Sequence, residues 1–303
     1  MGRVGNFEDV DSNTEPGLVL MGGSTDVDQA MRWMITRSGG GDFVIIRSSG
    51  GTGYNDYLFE LGQLNSVETL LINSVAAANH EGVFETIKNA EALFIAGGDQ
   101  SQYLRFWEGT KTEEALQYLI HEKKVPIGGT SAGCAVMGEF VYTGENGSII
   151  SSEALSNPFD SKLTVRRSTL INHPFLQNTI TDQHFSQRNR QGRLVAFMAR
   201  LREVSNGKPL KGIAVDEKTA VIMDKEGDIR IMGQNKAYFI LENEPDKAPE
   251  VMTNAAPLTW NLHQKALKSH ETNSSSELLD FNLKDWDSTF PGFWYVEEGT
   301  LYF

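Results

Sequence analysis

VPIGGTSAGCAVMG, residues 125–138, is the stretch whose reading decides the fold. Its apolar start, Val125 to Ile127, leads into Gly128, Gly129 and Thr130, and the residues after Ser131 follow a helical pattern. Gly129-Thr130-Ser131-Ala132-Gly133 fits G-x-S-x-G, the sharp strand-to-helix turn that lifts a serine hydroxyl above the end of a parallel strand. Glycines belong there because strained dihedrals and close backbone approach exclude a β-carbon. The competing reading is a glycine-rich loop whose serine only caps the next helix.

Upstream of this turn, strands and helices alternate. Residues 17–21, 43–46, 67–72 and 92–96 read as strands, the last ending in Gly97-Gly98-Asp99-Gln100. Helical spacing of apolar residues begins at Val27, and further helices are expected over 54–64, over 81–89 and from about Thr112. Strands that are apolar throughout predict an α/β fold with a mostly parallel sheet and helices on both faces. Ligands bind at the carboxyl ends of such strands, so Gly22-Gly23, Ser48-Ser49, Gly97 to Gln100 and Ser131 should share one rim. Downstream, 142–179 looks irregular, whereas 212–215, 220–223, 229–232 and 236–241 make the C-terminal part strand-rich. Residues 242–249 and 265–276 read as polar loops, the second of them mobile, and Phe290, Phe293, Trp294 and Tyr295 form a terminal aromatic cluster. With no repeats and no linker, the expectation is a flexible lead over 1–16 and a single domain over 17–303.

The 303 residues are 40% apolar, with sixteen Phe, eight Tyr and five Trp, enough for a large core. The 27 Lys and Arg against 40 Asp and Glu give a net charge of −13, which repels phosphate backbones and argues against general nucleic-acid binding. Cys134 is the only cysteine, so no intrachain disulfide can form, and no clustered Cys/His set suggests a metal. No run approaches the ~20 apolar residues of a membrane span. The polar opening carries no signal-peptide pattern, which leaves the compartment undecided between the cytoplasm and export of a trimmed protein.

A serine nucleophile needs a base within hydrogen-bond reach and a group that orients the base. Of the six histidines, His184 has the most suggestive setting, TDQHFSQRNRQGR over 181–193, and His173 is the rival. Asp216 and Glu217, directly after GIAV, are both candidates for the orienting acid. The N–H of Ala132 and one from Gly97-Gly98 would make an oxyanion hole. Arg188, Arg190 and Arg193 in an acidic protein suggest carboxylate binding through guanidinium forks.

GGTSAGCAVMG, FIAGGDQSQ, DQHFSQRNRQGRL and IAVDEKTA together resemble cyanophycinase and its relatives, a serine peptidase family that includes the aspartyl dipeptidase (peptidase E) type. The resemblance implies Ser131 as nucleophile, His184 as base, Glu217 and not Asp216 as the acid, and Gly98 with Ala132 as oxyanion donors. It implies a substrate pocket built from Gln100, Asp182, Gln183, Arg188, Arg190 and Arg193. The implied fold is flavodoxin-like, related to class I glutamine amidotransferases, and the implied assembly is a homodimer. The implied activity is exopeptidase release of β-aspartyl-arginine from cyanophycin, with no cofactor and no metal. Hydrolysis of aspartyl or isoaspartyl dipeptides is the nearest alternative, and a catalytically silent ligand-binding relative is another. An amidotransferase would need cysteine at position 131. Cys134 stands where the family pattern has alanine and is expected to pack as a small hydrophobe.

Overall fold

A computed structural model describes residues 2–275, 281–286 and 290–303. Two eight-stranded sheets carry the chain. Five strands of the first run parallel in the order Ser66–Leu71, Asp42–Arg47, Ala92–Ile95, Pro126–Thr130 and Gly17–Met21. These strands are almost wholly buried, as expected of a sheet covered on both faces. An antiparallel strand flanks one edge and the antiparallel pair Thr219–Asp224 and Ile229–Gly233 flanks the other.

In chain order the parallel strands run 3-2-4-5-1 across the sheet, whereas a flavodoxin-like order is 2-1-3-4-5. The first strand sits beside the fifth because its outer edge is taken by Thr219–Asp224. The mixed α/β class agrees with the sequence reading; the strand order differs from the one that the resemblance implied.

The C-terminal strands also do not stack where their sequence neighbours lie. Lys211–Val215 belongs to the second sheet and Thr219–Asp224 to the first, so the three residues Asp216, Glu217 and Lys218 form a crossover between sheets. In the second sheet Thr179–Gln183 pairs in parallel with Lys211–Val215, which sets His184 and Asp216 just beyond neighbouring strand ends. Three hydrogen bonds lock the junction: Ser131 N–H to Met21 O at 3.1 Å, His184 N–H to Gly22 O at 2.8 Å, and Lys218 N–H to Gly23 O at 3.0 Å.

Three local expectations need correction, and one helix was not anticipated. Arg3–Gly5, within the lead taken as flexible, pairs with Ser66–Glu68 as an edge strand. Leu267–Asn273, within a stretch taken as a mobile loop, is a strand, with Leu267 and Ser269 buried and Lys268 and His270 partly exposed in period-two alternation; Ser276 lies outside the described residues. The helix expected from about Thr112 is Lys111–Tyr118, and a further helix, Gln100–Trp107, precedes it, capped by Asp99, whose Oδ1 accepts the Ser101 N–H at 2.9 Å. Within 142–179, Ser151–Ser156 is helical and Val165–Arg167 joins the second sheet.

Candidate active site

Ser131 sits at the tip of the turn with φ 52° and ψ −117°, a conformation that non-glycine residues rarely adopt. Such strain costs of order 1–3 kcal/mol and persists only where the surroundings enforce it. Here they do. A β-carbon on Gly129 would lie 2.5 Å from the Gly133 carbonyl, and one on Gly133 would lie 2.0 Å from the Ile95 oxygen. Both glycines of G-x-S-x-G are therefore required by packing, and the turn ends in a single helical turn, Ala132–Ala135.

The Ser131 hydroxyl meets His184 Nε2 at 2.8 Å, and His184 Nδ1 meets Glu217 Oε1 at 2.6 Å. The carboxylate can only accept, so the network assigns the ring proton to Nδ1 and leaves the Nε2 lone pair for the serine O–H. His184 is 6% exposed. Burial lowers its pKa below the usual 6.5, the Glu217 hydrogen bond opposes that shift, and the Arg188 and Arg190 charges reinforce it. A neutral imidazole oriented in this way can take a proton from the serine as it attacks.

The rival groups lie elsewhere. Asp216 turns away from His184 and accepts backbone N–H groups from Ser186 at 2.8 Å and Lys236 at 3.3 Å. His173 caps a short turn through Phe175 N–H. Cys134 is fully buried among apolar groups, and that burial pushes its thiol pKa up, as befits a packing residue.

Beside Ser131 opens a polar cavity of about 240 Å³ whose wall includes Gly98, Gln100, Gln183, Arg188 and Arg190. The arginines differ in what they hold. Arg193 is 2% exposed and makes a two-pronged ion pair with Asp182, with Nε 2.8 Å from Oδ2. Its guanidinium also lies 5.4 Å and 5.6 Å from the Tyr142 and Phe197 rings. Arg193 and Asp182 thus neutralise each other in the cavity wall. Arg190 donates to the Gln183 carbonyl at 2.7 Å and to its side-chain oxygen, and burial lowers its pKa to about 10. Arg188 is half exposed, with Nε 3.8 Å from Glu217 Oε1. Arg190 also lies 3.8 Å from Asp182 Oδ1, so Arg188 is the more exposed of the two guanidiniums beside the cavity.

Tyr142, Gly144 and Ser148 also line the cavity and were not singled out from the sequence, whereas Asp99 belongs to the rim expected there. Tyr142 lies in an apolar FVY run that reads as core, and only its hydroxyl, bonded to Gly147 O at 2.7 Å and Ile149 N–H at 3.0 Å, marks it as wall. Gly97 abuts Ser131: a β-carbon there would lie 3.4 Å from that of the serine. Among the described residues no group of three or more His, Cys, Asp or Glu could hold a metal ion, and no helix is long and apolar enough to cross a membrane.

The sequence profile of peptidase family S51 matches residues 54–231, a span that contains Ser131, His184 and Glu217. The chain belongs to peptidase family S51. That family includes cyanophycinase and peptidase E, the aspartyl dipeptidase, and membership supports hydrolysis of peptide bonds. The chain is 29% identical over 236 residues to the cyanophycinase of Synechococcus elongatus, covering 74% of this chain and 68% of that protein. It is 26% identical over 184 residues to the cyanophycinase of Trichormus variabilis, covering 60% of this chain and 56% of that protein. A crystal structure of a peptidase from an acI-B1 Actinobacterium superposes with a TM-score of 0.56 at 14% identity, over 89% of this chain and 98% of that one, and shares the fold.

Proposed function

We propose that this S51 chain is a serine-type exopeptidase that cleaves short aspartyl or isoaspartyl peptides. The observation that carries the reading is the unbroken line from Ser131 through His184 to Glu217, opening on a small cavity walled by the guanidiniums of Arg188 and Arg190. In this reading Arg188 and Arg190 grip the free carboxylate of an aspartyl unit, and Gln100 and Gln183 orient it through their amides. The Asp182–Arg193 pair holds the wall rigid.

Ser131 Oγ attacks the scissile carbonyl while its proton passes to His184 Nε2, and Glu217 stabilises the imidazolium that forms. The N–H groups of Ala132 and Gly98 hold the oxyanion, each worth about 3 kcal/mol of transition-state stabilisation. The tetrahedral intermediate collapses to an acyl-enzyme as His184 returns the proton to the leaving amine. Water then adds with His184 as base and frees the acid. The turn and the oxyanion site would be those of an amidotransferase-like fold with serine in place of cysteine.

A second reading is exo-cleavage of cyanophycin to β-aspartyl-arginine, and the names of the relatives at 26–29% identity favour it. The cavity's size favours a single aspartyl unit over a polymer segment. Either form would work as a homodimer. Incubating the purified protein with α-aspartyl dipeptides, isoaspartyl dipeptides and cyanophycin, and quantifying released amine, separates the readings. Release from dipeptides alone supports the first and release of β-aspartyl-arginine supports the second. Binding without hydrolysis of any of the three would leave a silent relative and defeat the proposal.

A further inference from the structure

We infer that Asp216 is a positioning residue for the reaction: its buried carboxylate ties the turn that carries His184 to the crossover that carries Glu217. The inference rests on the proposed roles of those two residues. Asp216 is 2% exposed, and the donors around it are neutral. Oδ1 accepts the Ser186 N–H at 2.8 Å and Oδ2 accepts the Lys236 N–H at 3.3 Å. A buried carboxylate is costly unless well satisfied, so a turn held by backbone alone would be the simpler construction.

The position of these bonds is what matters. His184 has φ +47°, so the chain turns sharply there, and Ser186 lies two residues further on. Glu217 is the residue next to Asp216. Three bonds sew the two segments together: Phe185 N–H to Val215 O at 3.3 Å, Ser186 N–H to the Asp216 carboxylate, and Glu217 N–H to Gln187 Oε1 at 2.8 Å. The His184–Glu217 bond spans the same two segments, so its 2.6 Å length depends on their separation. Of the three bonds, only the central one is made by a buried side chain. On the far side the Asp216 backbone packs against the first strand's loop, since a β-carbon on Gly22 would lie 1.9 Å from the Asp216 oxygen. Asp216 therefore joins the loop beneath His184, the turn that carries it and the acid that orients it.

Asp216→Asn keeps an acceptor for Ser186 N–H but sets an amide donor against the other donors; Asp216→Ala removes every bond. The test reads kcat, KM and the pH profile of both variants, together with the low-field resonance of the His184 Nδ1 proton. Glu217→Gln serves as the reference in which the bond to the acid is altered. Misplacement by about 1 Å costs about 10²-fold in rate. The expected result is kcat down about 10-fold in Asp216→Asn and about 100-fold in Asp216→Ala, with KM within about twofold and the resonance shifted or lost in cooperatively folded protein. An unchanged kcat, or a kcat that falls only with the folded fraction while the resonance persists, overturns the inference. The resonance needs no substrate. If the unmodified protein hydrolyses nothing, the proposed function fails, while the spectrum still decides the role of Asp216.

Discussion

Gly23 lies directly against the His184 ring: a β-carbon on it would sit 2.5 Å from Cε1 and 2.6 Å from Nε2. Its φ of +94° independently disfavours any side chain. Gly23→Ala is expected to push the imidazole off Ser131 and lower kcat about 10²-fold, since a 1 Å displacement of a reacting group has that effect. Steady-state kinetics on the best substrate check it, and a kcat within twofold of the unmodified enzyme would contradict the packing argument.

Ser131→Ala removes the nucleophile and keeps the strained backbone. Activity should fall by about 10⁶-fold or to background, with the unfolding midpoint little changed. Ser131→Gly should be equally inactive yet more stable by about 1 kcal/mol, because glycine tolerates φ 52°. Chemical denaturation of both variants checks this pair. A less stable Ser131→Gly would show that the turn is not strained.

The acid limb of kcat/KM should lie below pH 6.5. Burial lowers the His184 pKa, so the neutral base persists to lower pH and activity is lost only as pH falls through that lowered value. The Glu217 hydrogen bond raises the His184 pKa. Glu217→Gln should therefore move the limb lower still, while kcat falls about 10⁴-fold through loss of tautomer control and imidazolium support. A limb that moved upward would refute the assignment of Glu217.

The arginines should separate by assay. Removing Asp182 leaves the Arg193 charge buried without its partner, at a cost of about 3–5 kcal/mol. The double change Asp182→Leu with Arg193→Met should recover most of that stability. Arg190→Gln should raise KM with far less loss of stability. A double-mutant cycle in denaturant, run beside KM measurements, reads both effects. Equal destabilisation by Arg190→Gln and Asp182→Ala would undo the distinction.

The local part of the fold was legible in the sequence. The Glu81–Asn89 helix lies where its apolar spacing puts it, and the Pro126–Thr130 strand runs into Ser131 as the glycines imply. What escaped is set by tertiary context. Nothing between GIAV and TAVIM says that the Asp216–Lys218 turn changes sheets, because the bond that anchors it, Lys218 N–H to Gly23 O with Lys218 at φ +56°, spans nearly two hundred residues. Among Arg188, Arg190 and Arg193 the residue type is the same, and only the fold gives Arg193 its buried Asp182. Ser131 and Glu217 could be picked out because each follows an apolar strand run, and His184 by the polar segment around it, and the structure brings these three together. The partners of the arginines were not legible, because partnership is a matter of distance.

The pairing of Gly17–Met21 with Thr219–Asp224 joins two strands about two hundred residues apart, so the second leaves the ribosome long after the first. The cradle for His184, built by Gly22 and Gly23, stays open until the crossover arrives with Glu217 and Lys218. Contacts so distant in sequence form late in folding. The hydrogen-bonded line from Ser131 through His184 to Glu217 can therefore be completed only after residues made long afterwards have closed the sheet.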